Sequence, residues 1–289
     1  MSLTHTLLTG LALSALGLLP ATAQTTSGFD HPESVCRSGN FYYVSNLGKE
    51  LKPSDKDGDG YISKMSATGQ IIDQKFLPKT GTLNAPKGLV TVGNVLYVAD
   101  VDRVLGFDLT TREQVMSIDV PGVAFLNDPV VINPQTLWVS VTDKNQLIRV
   151  DLKSQTATFL PITGLNGPNG LACTPNGKTV YCVGFGTDNK PNGEVVQIDV
   201  ATLKTQRLGT YAGMLDGVAV RGQKLFFSDW KSFGNTGELQ EMDLKTGKTT
   251  RQTKVDLIGG FADFYLAPNS REMVVPSLTN NVVLFKSIN

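Results

Sequence analysis

Leu96-Tyr97-Val98-Ala99 is one of six short strings built alike: a large apolar residue, then an aromatic or apolar one, then a small or branched one. The others are Tyr42-Tyr43-Val44-Ser45, Leu137-Trp138-Val139-Ser140, Val180-Tyr181-Cys182-Val183, Leu225-Phe226-Phe227-Ser228 and Met273-Val274-Val275-Pro276. Their first residues follow one another at intervals of 54, 41, 43, 45 and 48. Each is rich in β-branched and aromatic residues and reads as a strand. A second apolar segment follows each one, at 61–65, 104–109, 147–152, 195–200, 239–244 and 282–285. Four of these six end in an apolar-Asp-apolar step, after which comes a turn such as Lys245-Thr246-Gly247. A more polar third strand follows in most units, for example 114–118, and a Gly- or Pro-flanked strand such as 170–174 precedes the first. No stretch has helical periodicity.

Four antiparallel strands in a unit of about 45 residues, repeated six times, predict an all-β chain folded as a six-bladed β-propeller. The regularity of the spacing disfavours a β-sandwich or a two-domain β protein. The last unit has room for three strands before Asn289. Residues 24–30 are expected to supply its fourth strand and close the ring, hiding the edges an open sheet would leave.

The chain has 289 residues, with 26 Lys+Arg against 26 Asp+Glu and only 2 His. Zero net charge without a basic cluster argues against nucleic acid and against anionic lipid as partners. Residues 7–19 are apolar and uncharged, and Ala21-Thr22-Ala23 has a small-x-small pattern. Residues 1–23 therefore read as a secretory signal peptide, and 24–289 as the propeller. The expected location is the periplasm or the exterior. The expected form is a monomer that is free of membrane once the leader is cleaved. Export permits disulfides. Cys173 and Cys182 bracket a Pro-Asn-Gly turn and either bridge or stay reduced, with Cys36 left over.

In a propeller the innermost strand of each blade lines a central channel. Counting back from each repeated string reaches Glu33, Lys87, Asn127, Asn169, Asp216 and Asp263, all polar or charged. Glu and Lys are not turn residues, so turn chemistry does not explain the set. Charged groups converging on a channel must pair or bind an ion. Three carboxylates and two amides form an oxygen donor set suited to Ca²⁺, with Mg²⁺ or Mn²⁺ as further candidates. The metal ligands expected are Glu33, Asn127, Asn169, Asp216 and Asp263, with Lys87 as the axial modulator. The competing arrangement is a metal-free plug in which Lys87 pairs with Glu33, Asp216 or Asp263.

The local strings Glu33-Ser34-Val35, Asn127-Asp128, Gly167-Pro168-Asn169-Gly170-Leu171-Ala172 and Leu215-Asp216-Gly217-Val218 resemble those of a known family. It is the senescence marker protein (regucalcin), gluconolactonase and luciferin-regenerating enzyme family of six-bladed propellers. The resemblance implies an axial divalent cation held by Glu33, Asn169 and Asp216, with Asn127 at the family's Asn-Asp step. Lys87 and Asp263 lie outside that pattern. It also implies hydrolysis of a lactone or related ester, with a small-molecule substrate whose carbonyl the cation polarises. Asp216 and Asn127 are then the candidate catalytic residues. Asp216 would act as general base or nucleophile, and Asn127 would position substrate or complete the coordination. The alternative is a non-catalytic propeller that binds a ligand or protein partner on its upper face.

Asp55-Lys56-Asp57-Gly58-Asp59-Gly60 matches the first half of an EF-hand calcium loop, but the twelfth position is Ser66 rather than Glu. Asp55, Asp57 and Asp59 are candidates for a second calcium loop, with Glu50 as a candidate to complete it, or else a solvated turn bordering the axial face. His31 is a candidate proton shuttle or a bonded loop residue. Trp230 and Phe233 are candidates to wall a pocket.

Overall fold

A computed structural model describes residues 24–253 and 255–288. The proposed leader, 1–23, lies outside them. Six four-stranded antiparallel sheets radiate as blades. Five follow the chain without crossover, from the axis outward. In the first, Pro32–Ser38, Phe41–Asn46, Tyr61–Ser66 and Ile71–Leu77 are the successive strands. The sixth blade takes Tyr265–Leu266, Glu272–Ser277 and Val282–Ser287 from the C-terminal end, and its outer strand is Gln24–Ser27. Gln24 pairs with Phe285 and Ser27 with Val282. The first described strand thus closes the ring, as the strand count predicted.

The repeated strings are the second strands, and their unbroken apolar character has a simple cause. Each is packed on both faces by neighbouring blades. In Val95–Asp100, Leu96 and Val98 join a cluster with Tyr43, Ile62 and Phe76 of the first blade. Tyr97 and Ala99 point the other way, to Leu137, Val139 and Ile148 of the third. Both alternate faces are buried, so the alternation of a half-exposed strand disappears. Complete burial of one such side chain contributes about 1.5–3 kcal/mol.

The aspartates that end four of the third strands hold turns. Asp108 Oδ1 accepts from the amides of Thr110 and Thr111, and Asp151 Oδ1 from those of Lys153 and Ser154. Asp243 Oδ1 accepts from Lys245 and Thr246, and Asp199 Oδ1 from Thr202. These donors favour the ionised form and hold all four carboxyls below their ordinary value.

Five of the six innermost strands are bulged where they start. Pro32 pairs with Asn46 and Val35 with Val44, so three steps on one strand match two on the other. The same extra residue lies between Pro86 and Leu89, Leu126 and Pro129, Pro168 and Leu171, and Leu215 and Val218. A bulge re-aims side chains and leaves a ladder amide unpaired. In alternate blades a serine of the second strand takes that amide. Ser45 Oγ accepts from Ser34 N at 2.9 Å, Ser140 Oγ from Asp128 N at 2.9 Å and Ser228 Oγ from Gly217 N at 2.8 Å. Three bulge positions, Gly88, Gly170 and Gly217, must be glycine because the next blade is too near. A Cβ on Gly170 would lie 2.2 Å from Asp216 O, and one on Gly217 2.6 Å from Asp263 Cα.

The three cysteines are free. Cys173 is level with Val180 and Cys182 with Leu171, so the two nearest are out of register for a bond.

Candidate functional site

The five bulges deliver one side chain each to a cavity of about 510 Å³ on the axis. Glu33, Lys87, Asn127, Asn169 and Asp216 line its floor, and the sixth blade contributes Ala262. The sequence count had placed Asp263 there. Phe261 bridges Ser277 and Tyr265 pairs with Val274, which aligns Ala262 with Asp216 and Asp263 with Gly217. Asp263 thus stands one residue deeper, where its Oδ2 accepts from Ser34 Oγ at 2.6 Å. Asp128, in the same deeper register, accepts from Leu171 N at 2.7 Å and ties the third blade to the fourth. In the sequence Asp128 stands beside Asn127 in an Asn-Asp step. Its distinguishing signal was a carboxylate at a place held by glycine in three other blades.

The floor sets two carboxyl groups against one ammonium. Glu33, Lys87, Asn127, Asn169 and Asp216 are all buried. Trp230 Nε1 donates to Asp216 Oδ2 at 2.9 Å. The other oxygen, Asp216 Oδ1, is buried without a partner, and so is Glu33 Oε2. Burial, reinforced by the charges of Asp216 and Asp263, pushes the Glu33 carboxyl well above its ordinary value. Burial and the Asp263 charge push Asp216 up to about 8, while the neighbouring Trp230 and Asn169 side chains pull the other way. Asp263 is pushed up to about 6 by burial.

Lys87 does not form the plug. Among the described residues no carboxylate lies within ion-pair distance of its ammonium. Its Nζ donates to Ala85 O at 3.2 Å and stands 4.4 Å from the Phe125 ring centroid. Burial outweighs the attraction of Glu33 and lowers its pKa to about 8. Asn127 Nδ2 donates to Thr142 Oγ1 at 3.3 Å, and that hydroxyl donates to Pro168 O at 2.7 Å.

Among the described residues no three His, Cys, Asp or Glu side chains form a metal cluster. A cation on the axis would therefore be held by two carboxylates with the amides of Asn127 and Asn169 beside them. The two orphaned oxygens and the hard-oxygen chemistry of that set fit such an ion.

The walls come from loops joining second to third strands. Leu47, Leu51 and Pro53 belong to the insertion of the first blade, Phe185 to the fourth, and Trp230 and Phe233 to the fifth. Trp230 meets Phe185 edge-on with ring centroids 5.6 Å apart, and Phe233 at 6.0 Å.

The same insertion of the first blade borders the cavity through Leu51 and Pro53, but its acidic residues stand apart from it. Asp55 pairs with Lys52 at 3.5 Å, as does Glu50 at 2.6 Å. Asp59 Oδ2 accepts from Lys49 N, and Asp57 Oδ1 from Asp59 N. Asp55 and Asp57 are exposed and Asp59 is half-buried, and none of the three lines the cavity. His31 also stands outside the lining, with Nδ1 3.1 Å from Leu278 O.

An axial pocket ringed by six four-stranded blades defines the molecule as a six-bladed β-propeller. Solved structures agree. The chain is similar to virginiamycin B lyase from Staphylococcus aureus, with TM-score 0.63 and 10% identity over 93% of this chain and 99% of that one. It is similar to hydrazine synthase of Kuenenia stuttgartiensis, with TM-score 0.62 and 16% identity over 96% and 80%. A structure of a nidogen/laminin complex matches with TM-score 0.60 and 16% identity over 76% and 78%. At these identities the likeness is one of fold. No protein-family model and no curated protein matches the chain.

Proposed function

We propose that the chain is an exported, divalent-cation-binding propeller that hydrolyses a lactone or a related ester in its axial pocket. The observation that carries this reading is the pair of orphaned oxygens, Glu33 Oε2 and Asp216 Oδ1, buried on the pocket floor. Unpaired buried carboxylates are costly, and a hard cation removes the cost. Glu33, Asn127, Asn169 and Asp216 would hold it, with Ca²⁺ the best match and Mg²⁺ or Mn²⁺ stricter in geometry. When bound, the ion supplies Lewis-acid polarisation of a carbonyl.

The chain's own residues supply the rest. Asp216, with one oxygen fixed by Trp230, presents the other to accept a proton from an attacking water. Asn127, anchored on Thr142, orients the acyl group. The aromatic loops exclude bulk water. Export rests on the apolar run and small-x-small step of residues 7–23.

A panel of lactones and aryl esters, assayed with Ca²⁺, Mg²⁺ or Mn²⁺ and again with chelator, tests the reading. Chelator-sensitive hydrolysis that falls at least about a hundredfold in Asp216→Asn is expected. Hydrolysis that ignores chelator, or none with any ion, counts against it. The buried ammonium of Lys87 on the same floor favours a second reading, a propeller that binds its ligand without turning it over. Ligand binding with no hydrolysis in that panel would select it.

A further inference from the structure

The axial pocket is divided sharply between a polar floor and an apolar wall. Above the axial residues, the wall is built from Leu51, Phe125, Phe185, Trp230, Phe233 and Leu278. Polar wall groups are few: Thr142, with Asp188 and Asn189 at the exposed rim. Thr142 Oγ1 is committed to Pro168 O and to Asn127. Asp188 lies 3.6 Å from Lys190 at the exposed rim. Phe233 is 61% exposed, an unusual state for a large apolar side chain, and it stands at the mouth with its ring against Trp230 and Phe185.

We infer that the ligand of this pocket carries a flat apolar body, an aryl or fused aryl group, seated on the Phe185–Trp230–Phe233 wall, with its carbonyl end directed to the axial floor. The inference rests on the axial pocket being the ligand site, and it deepens the reading above by naming the substrate class. A polyhydroxylated lactone fits poorly. Its hydroxyls would leave water for a wall that offers them almost no partners. An aryl body instead gains edge-to-face contact with three rings and covers the exposed face of Phe233. The volume suits a bicyclic ligand.

Two hydrolysis-resistant lactams separate binding from turnover: 3,4-dihydroquinolin-2-one, which is aryl, and gluconolactam, which is polyhydroxylated. Each is titrated by calorimetry into protein spanning residues 24–289 with Ca²⁺ present, while tryptophan emission is followed. The chain has 2 tryptophans. Trp138 is packed in the core between the third and fourth blades, so a change in emission reports on Trp230. The aryl lactam is expected to bind at least about tenfold more tightly and to shift the emission. Phe233→Ala is expected to weaken it about three- to tenfold, and Phe233→Leu less. The exposure of Phe233 makes both variants compatible with folding. Equal or tighter binding of gluconolactam, no binding of the aryl lactam, or an unchanged affinity in Phe233→Ala would overturn the inference. Tight aryl-lactam binding without hydrolysis of the matching lactone, dihydrocoumarin, would sustain it while removing the hydrolase reading.

Discussion

Trp230 Nε1 donates to Asp216 Oδ2 at 2.9 Å, and this bond joins the apolar wall of the pocket to its charged floor. The indole packs edge-on between Phe185 and Phe233 with one end in the wall and its N–H on the axis. A single side chain thereby fixes both the shape of the mouth and the orientation of the carboxylate beneath it.

Trp230→Phe keeps an aromatic ring but removes the donor. Asp216 would then have both oxygens without a partner in a buried site. A loss of about 1–3 kcal/mol is expected, read from urea unfolding at neutral pH. If the axial cation binds as proposed, saturating Ca²⁺ should recover part of that loss.

Ser228→Ala strands the bulge amide of Gly217 and breaks the bond from Ser228 Oγ to Ala262 O at 3.0 Å, which links the fifth blade to the sixth. The expected cost is about 1–3 kcal/mol by denaturant unfolding. Ser45→Ala should fall at the lower end, because Ser45 makes no comparable bond to a neighbouring blade.

Gly170→Ala tests the close approach of adjacent inner strands. The new methyl would sit 2.2 Å from Asp216 O, backbone that cannot swing aside. A loss of about 3 kcal/mol or more is expected, read as a lowered Tm. A Tm within a degree or two of the parent would contradict the proximity.

The axial carboxylates give a pH dependence of definite sign. Asp263 titrates near 6 and Asp216 near 8 in the folded chain, above their unfolded values. Each favours folding fully below the unfolded pKa, and that contribution is lost as pH rises through the folded pKa. Lys87, lowered to about 8, does the reverse, and its contribution is lost as pH falls through that value. The cation-free chain should therefore lose stability from about pH 4 to about pH 8, the span set by the unfolded carboxyls at its lower end and by folded Asp263 and then Asp216 at its upper end. Asp263→Asn keeps an acceptor for Ser34 and removes the charge. It should raise stability at pH 7 by on the order of 2 kcal/mol and make the fall shallower, with Asp216 and Glu33 supplying the slope that remains, as followed by thermal unfolding.

The fold was legible because a propeller buries its second strands on both faces. That made Leu96-Tyr97-Val98-Ala99 and its counterparts continuous apolar strings at a regular interval. Five of the six axial positions were legible for a related reason: the residue beside the bulge is polar in each, against an apolar or proline flank. The sixth was not. Ala262 carries no chemical signal, and Asp263 beside it does, so a count tolerating gaps of one or two residues settled on the wrong neighbour. Matching Phe261-Ala262-Asp263-Phe264 to Leu215-Asp216-Gly217-Val218 by their apolar ends would have found the register. Asp128 was passed over because the Asn-Asp pair offers two candidates and the bulge points them to different levels. The competing arrangement, a Lys87 plug, does not form. Opposite charges on one axis suggest pairing, yet the ammonium is held by Ala85 O and the Phe125 ring instead. Lys52, engaged with Glu50 and Asp55, was likewise absent from the reading of the acidic loop.

Calorimetric titration of Ca²⁺ into chelator-treated protein spanning residues 24–289, with Glu33→Gln, Asp216→Asn and a triple Asp55/Asp57/Asp59→Asn variant alongside, bears most directly on the proposed axial cation. The expected result is one site per chain that either axial substitution abolishes and the triple substitution leaves intact. A site that survives both axial substitutions, or no heat of binding with Ca²⁺, Mg²⁺ or Mn²⁺, would contradict it.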